Sequence, residues 1–432
     1  MALSNHLTHL SVLIWVFILV SPVSAQVSHG DREKGRKMLT DVVQMIRNHY
    51  YDPQFHGVDL DALSKEADER INQAPTIAAI FAAIADLLRN LNDSHTYFLP
   101  PQRVIYQHQW EMQSIGDKCY IVSIEPGSEG ELKGLKLGDQ VVALNGVKVT
   151  RESLAVIHYF YSALSPQPGF DLDLVSPEGT QRTLRIMAKE NKQTPIGWNS
   201  IIAFRNAVSA YEKARHQYLL RTIKLSDKSI LWPLSQFALT AEEVDDTMSR
   251  IRNFDNLVLD LRGNTGGLEE NLLRLVGYFF DHDVKVAEAK RRDETRSLVA
   301  RSRGIFKGKL VVLVDSWSSS ASELFARVMQ LEGRATVLGD RTPGAVMRSR
   351  THRLRMDTKS NLAIGYVLSI TDADIVMKDG KSLERVGVTP DELLLPSPQD
   401  LAGKLDPVLQ RAAALVGTQL TAAEAYKLLY KN

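Results

Sequence analysis

The sequence predicts a multidomain α/β protein, on three observations. The chain has 432 residues, 44% hydrophobic and 24% charged, which at about 100 to 200 residues per domain gives room for two to four packed units. Its hydrophobic period changes along the chain, from helical spacing before Asn92 to short β-branched runs up to about Ala188. From about Thr194 to Pro396 strands and helices then alternate. The apolar fraction and the scattered 26 Gly and 16 Pro exclude disorder, collagen and a pure coiled coil. With 52 Lys+Arg against 51 Asp+Glu, no global basic excess points to nucleic acid or an anionic membrane. The single cysteine, Cys119, can close no intrachain disulfide and supplies no Cys-rich zinc site.

Residues 1–25 carry no Lys, Arg, Asp or Glu, and the apolar run Leu10 to Val20 is short for a bilayer span. It ends in the small residues Ser21, Pro22, Val23, Ser24 and Ala25, which predicts a secretory signal peptide cleaved near Ala25. An uncleaved anchor is the other reading. The expected mature chain is exported, periplasmic or secreted, with no membrane span after cleavage. Residues 26–101 read as a helical cap, because Met38, Val42, Val43, Met45 and Ile46, and again Ile77, Ile80, Phe81 and Ile84, recur at spacings of three and four. It closes on Asn92, Asp93, Ser94, His95, Thr96, Tyr97, Phe98 and Leu99, where Pro100 and Pro101 end the segment.

Residues 102–190 read as a β domain: Tyr120 to Ile124, the turn Pro126, Gly127, Ser128, a short helix near Glu129 to Lys133, then Gly138 to Gly146. The order of these pieces resembles a PDZ domain. That resemblance implies peptide binding by strand addition, with a carboxylate-binding loop at Ser114, Ile115 and Gly116. A purely structural β module is the alternative. Residues 191–400 read as an α/β domain in which Leu257 to Leu261 and Leu310 to Val314 are buried strands, each running through a small-residue turn into an amphipathic helix. Residues 401–432 form a helical tail expected to pack back on that core.

Chemistry concentrates where these strands end. Asp260 to Gly267, with Gly263, Gly266 and Gly267, is a turn whose glycines let backbone N–H groups approach a ligand, as an oxyanion site requires, though such a Gly-rich turn is more often a tight turn or a phosphate cradle. Asp315 to Glu323 places Ser316, Ser318, Ser319, Ser320 and Ser322 before a helix, where the dipole favours negative charge and where serine is also a preferred N-cap. Ser94 and His95 add one imidazole able to move a proton near neutral pH. No HExxH is present, and Asp372, Asp374 and Asp379 lack the pattern of a calcium loop, so neither a metal nor a cofactor is implied.

Together and in this order, DSHTYFLP, the PDZ-like segment, DLRGNTGG, SSSASELFA, GDRTPG and DGKSLERVGVTPD resemble the C-terminal processing and tricorn-like serine peptidases. The resemblance implies a ClpP/crotonase-like α/β catalytic core with an N-terminal helical cap and an inserted PDZ-like β domain. It implies Ser320 as nucleophile, an oxyanion hole from Ala321 with Gly266 or Gly267, and structural support from Glu323 and Thr342. One departure decides the base: Thr342, Pro343 and Gly344 are followed by Ala345, and no lysine occurs from Gly339 to Asp357, so the Ser-Lys dyad of the processing branch is not implied. The tricorn-like pattern implies His95 as base, with Glu384 and Ser94 holding its imidazole. A surface role for Glu384, beside Lys381 and Arg385, is the competing reading. The implied partner is a peptide or protein substrate; oligomeric state is left open. The alternative function is a catalytically inactive ligand- or peptide-binding relative.

Overall fold

The computed structural model describes residues 27–101, 105–191, 219–356 and 364–430; the expected signal segment lies outside them. The N-terminal helices are α1 (His29–His49), α2 (Leu60–Gln73) and α3 (Ile77–Arg89). The side chains of Ser28, Asp59 and Thr76 accept the free first-turn N–H groups, which fixes where each helix begins. Met38, Val42 and Ile46 of α1 pack in one core with Ile80 and Ile84 of α3. The chain leaves them as β1 (Tyr97–Leu99).

Next come β2 (Ile105–Gln107), β3 (Trp110–Ile115), β4 (Lys118–Ile124), α4 (Glu129–Leu132), β5 (Gln140–Leu144), β6 (Val147–Lys148), α5 (Arg151–Tyr159), β7 (Gly169–Val175), β8 (Gln181–Met187) and β9 (Lys189–Asn191). Strands β3-β4-β5-β7-β8 form an antiparallel sheet with β6 on β5, and β2 pairs with β9. Cys119, Ile121, Leu172 and Ile186 of this sheet join the same core as the N-terminal helices, so the two regions share their interior.

The remaining elements are β10 (Ile223–Lys224), β11 (Ser229–Pro233), α6 (Ala241–Ile251), β12 (Asn256–Asp260), α7 (Glu269–Val276), β13 (Val284–Lys290), β14 (Thr295–Ala300), β15 (Lys309–Val314), α8 (Ala321–Leu331), β16 (Thr336–Gly339), β17 (Arg348–Met356), β18 (Ile364–Met377), β19 (Glu392–Leu393), α9 (Pro398–Ala402), α10 (Pro407–Leu415) and α11 (Ala422–Leu429). One sheet runs β10-β11-β12-β15-β16-β19, parallel from β11 onward. Leu257, Leu259 and Val312 fill one of its faces, while Val258, Val311 and Leu313 pack with Leu409 and Ala412 of α10 on the other. Burial on both faces is why β12 and β15 read as unbroken apolar runs. Both strands end on the same edge, which is where ligand sites form in such sheets.

A second sheet has the order β1-β18-β13-β14, with β17 on β18 as well. The pairing of Tyr97 with Ser369 and Phe98 with Leu368 fastens the N-terminal helices to the α/β core. Among the described residues no helix is long and apolar enough to cross a membrane.

Candidate active site

Ser320 stands between β15 and α8 at φ 57°, ψ −117°. That conformation costs a non-glycine residue about 1–3 kcal/mol and persists only where the surroundings impose it. Its N–H donates to the Ala345 carbonyl at 2.8 Å and to Glu323 Oε2 at 3.1 Å. Glu323 has no solvent exposure. It also accepts the Thr342 hydroxyl, the Gly344 N–H at 2.8 Å and the Ala345 N–H at 2.9 Å. Burial pushes its carboxyl up to about 7, against these four donors, which pull it down. Glu323 and Thr342 thus sit behind the loop and brace it.

The loop is held from its other end by Asp315, whose Oδ1 accepts the N–H groups of Gly263, Trp317 and Ser318, each at 3.0 Å. Asn264, fully buried, joins the two strand-end turns: its carbonyl accepts the Ser319 N–H and the Ser322 hydroxyl, both at 2.9 Å. Gly266 has φ +94°, and a Cβ there would lie 2.7 Å from the Ser320 Cβ and 3.0 Å from the Ala321 nitrogen. Only glycine fits so close a backbone approach. The Gly266 N–H donates to Asn264 Oδ1 at 2.8 Å and is committed there. The N–H groups of Gly267 and Ala321 have no hydrogen-bond acceptor among the described residues.

The third part arrives from the N-terminal helices. The Glu384 carboxylate accepts the Ser94 N–H at 2.7 Å, the Ser94 hydroxyl at 2.9 Å and the Val346 N–H at 3.0 Å. Ser94 Oγ also lies 2.7 Å from His95 Nδ1. The hydroxyl has one proton and gives it to the carboxylate, so it accepts from Nδ1–H; the network therefore assigns the ring proton to Nδ1 and leaves a lone pair on Nε2. Asp93 fixes the turn by accepting the N–H groups of His95 at 2.9 Å and Thr96 at 2.7 Å and the Thr371 hydroxyl at 2.8 Å. Burial lowers the His95 pKa, with Arg385 adding to the effect and Asp93 opposing it. Burial raises that of Glu384 against the Val346 N–H, Arg385 and Ser94.

Ser94, His95 and Glu384 are thus one hydrogen-bonded chain. Among the described residues no hydrogen bond joins His95 to Ser320; the link between the two sides is the Ala345–Val346 peptide, whose C=O takes the Ser320 N–H while its own N–H goes to Glu384. Gly344 enters that peptide at φ +71°, and a Cβ there would fall 2.6 Å from the Val386 nitrogen, so this turn too admits only glycine.

The Ser114–Ile115–Gly116 turn lies elsewhere. It is the β3–β4 hairpin closed onto the core: Gly116 N–H donates to Asp340 at 2.9 Å, and the Ser114 carbonyl accepts the Ser316 hydroxyl at 2.6 Å. The Gly116 amide is thus already engaged by a carboxylate of the chain itself. Sequence reasoning missed Asp93, Asn264, Asp315 and the Ala345–Val346 peptide. Asp93 had a signal, since Asp in a turn bonds backbone N–H groups two and three residues on; the others had none beyond strand-end position. Among the described residues no group of three or more His, Cys, Asp or Glu could hold a metal ion.

Residues 233–394 match the family model of peptidase family S41, and residues 31–88 that of the Tricorn protease C1 domain. The chain is 22% identical over 406 residues to a carboxyl-terminal-processing protease of Picosynechococcus sp., covering 90% of this chain and 89% of that protein. It is 22% identical over 359 residues to the chloroplastic carboxyl-terminal-processing peptidase 1 of Arabidopsis thaliana, covering 78% and 69% respectively. Among solved structures, mature CPAF superposes with a TM-score of 0.64 at 14% identity, covering 86% of this chain and 94% of that one. The photosystem II D1 C-terminal processing protease superposes at 0.52 and 19% identity, covering 93% and 100%. The S41 match spans both strand-end turns and Glu384, the Tricorn C1 match spans the helices that precede His95, and the chain thus carries a peptidase family S41 domain and a Tricorn protease C1 domain, with homologues named carboxyl-terminal-processing proteases.

Proposed function

We propose that this chain is an exported serine endopeptidase that hydrolyses peptide bonds through an acyl-enzyme on Ser320. The observation that carries the reading is the Ala345–Val346 peptide, which ties the backbone of Ser320 to the carboxylate that holds Ser94 and His95. In this reading His95 Nε2 takes the Ser320 hydroxyl proton as the hydroxyl attacks the carbonyl, and returns it to the leaving amine. Glu384, acting through the Ser94 hydroxyl, keeps the proton on Nδ1 and stabilises the imidazolium. The tetrahedral oxyanion is received by the N–H groups of Ala321 and Gly267, because the Gly266 N–H is already spent on Asn264. Contacts of this kind lengthen in ligand-free enzymes and tighten around substrate, which accommodates the missing His95–Ser320 hydrogen bond.

The same reading divides the exported chain into a helical cap (26–101), a PDZ-like domain (102–190), a ClpP/crotonase-like core (191–400) and a helical tail (401–432). The antiparallel sheet from β3 to β8 supports the PDZ-like assignment, and the parallel sheet covered on both faces supports the core assignment. With the 114–116 turn closed, an extended peptide would pair with a strand edge of the PDZ-like sheet. The names of the relatives point to protein C-termini as substrates. A fluorophosphonate probe tests the proposal: the folded wild-type chain should be labelled, Ser320→Ala should not be, and His95→Ala should be labelled far more slowly. A wild-type chain that gives a folded circular dichroism spectrum yet takes no probe would sink it.

A further inference from the structure

Strand β17 begins at the site and carries an unusual charge pattern. Its nine residues, Arg348 to Met356, hold four arginines and His352 and no acidic residue. On the strand's inner end three guanidiniums share one carboxylate: Arg291 at 3.6 Å, Arg348 at 3.7 Å and Arg350 at 2.8 Å from Asp372. Arg348 Nη1 and His352 Nε2 are buried and without a hydrogen-bond partner among the described residues. Further out Arg353 and Arg355 are exposed and have no carboxylate partner among the described residues. Among the described residues Asp372 is thus the one carboxylate paired with the strand's four arginines.

It is also an edge. Among the described residues β17 pairs only with β18, so its outer N–H and C=O groups are free to take another strand. Its first residue, Arg348, lies two positions beyond Val346, whose N–H holds Glu384. A second copy of this chain pairing there would set arginine against arginine, which like charges on facing strands oppose. A polyanion such as nucleic acid would answer the charge but leave the free backbone groups unmatched. Both features are satisfied together by one occupant.

We infer that the free edge of β17 docks an extended, acidic stretch of the polypeptide substrate, adding it as a strand and leading it into the site. This rests on the peptidase reading above and names its substrate class. At about 3.3 Å per residue, Arg348 to Arg355 spans about 23 Å, so the acidic residues should lie within one stretch of roughly eight positions on one side of the cut.

The test uses the Ser320→Ala chain and fluorescein-labelled 14-residue peptides of Ala and Val with four Glu, four Gln or four Lys at alternate positions, read by anisotropy. The Glu peptide should bind about tenfold more tightly than the Gln peptide, the size that a few exposed charge pairs supply together. Backbone N-methylation of the Glu peptide, which keeps the charge and removes the ladder donors, should abolish the gain. In R353E/R355E the preference should pass to the Lys peptide, and in R353Q/R355Q the Glu and Gln peptides should bind alike; melting curves establish that both variants fold. Equal binding of Glu and Gln peptides by the parent chain overturns the inference. So does an N-methylated Glu peptide that binds undiminished, or inorganic polyphosphate that binds as tightly as the Glu peptide, since either outcome assigns the patch to charge alone. Binding here needs no turnover, so probe labelling of the wild type decides the peptidase reading separately.

Discussion

The two halves of the site are built on different length scales. On the nucleophile side the partners of Glu323 are close in sequence: Ser320 is 3 residues away, Thr342 is 19, Gly344 is 21 and Ala345 is 22. On the base side, the hydrogen bonds that orient His95 join Ser94 to Glu384 across 290 residues. The first half can form as soon as β15, α8 and β16 fold together, whereas the second exists only while β1 is zipped to β18. In the proposed mechanism the nucleophile is thus a property of the core, and the base a property of how the N-terminal helices dock on it.

The largest break separates the two halves outright. His95→Ala should lower kcat by about 10⁴- to 10⁶-fold, as removal of a base from a serine peptidase does, while leaving the melting temperature nearly unchanged because no core partner is lost. Measured turnover within tenfold of wild type would mean that some other group takes the Ser320 proton. Glu323→Gln attacks the opposite half. Its amide nitrogen would face two of the four donors now pointing at the carboxylate, at about 1–3 kcal/mol for each donor left unsatisfied. We expect a melting temperature lower by several degrees and a loss of activity, because the strained Ser320 backbone loses its brace. A variant that melts like wild type would show that the four bonds contribute little.

The contrast also explains what the sequence disclosed. The strands β12 and β15 and the turns that follow them were legible from apolar runs ended by Gly and Ser, because a strand buried on both faces needs such runs. Around Ser320 the local residues favoured capping, and the resemblance alone singled it out; the positive φ, which periodicity cannot report, distinguishes it from an ordinary N-cap. Nothing in the residues around Glu384 said that it would meet Ser94, and the resemblance alone suggested it. The Ser114–Gly116 turn shows the same in reverse: its own residues said nothing of Asp340 and Ser316, distant in sequence, which bond it to the core. Long-range partners decide a polar site, and they leave no periodic trace.

A finer break leaves both halves standing and cuts only the bond between them. Ser94→Ala removes the hydroxyl through which Glu384 reaches His95 Nδ1 but keeps the backbone N–H on the same carboxylate. Turnover should fall by about 10²- to 10⁴-fold, approaching the cost of losing a tautomer-holding acid, with KM little changed. Ser94→Thr retains the hydroxyl and should recover most of that loss. If alanine and threonine behave alike, the hydroxyl does not carry the link.

The smallest effect is a displacement of the pH profile, and its sign follows from the surroundings of His95. Burial and Arg385 both disfavour the imidazolium, so its pKa in the folded chain lies below the ordinary 6.5, with Asp93 opposing but not reversing the shift. A base works only when neutral; the acid limb of kcat/KM should therefore lie below the ordinary histidine value, with activity falling as the pH drops through the lower, folded value. Stability follows the same direction, because burial favours the neutral ring: its contribution is whole above the unfolded pKa and is lost as the pH falls through the folded one. Arg385→Gln removes the one charged group that depresses the value and leaves burial, so the acid limb should move up toward that of an exposed histidine. A limb at or above 6.5 in wild type, or one that moves down in Arg385→Gln, would show that the imidazole sits in water rather than between the docked helices and the core.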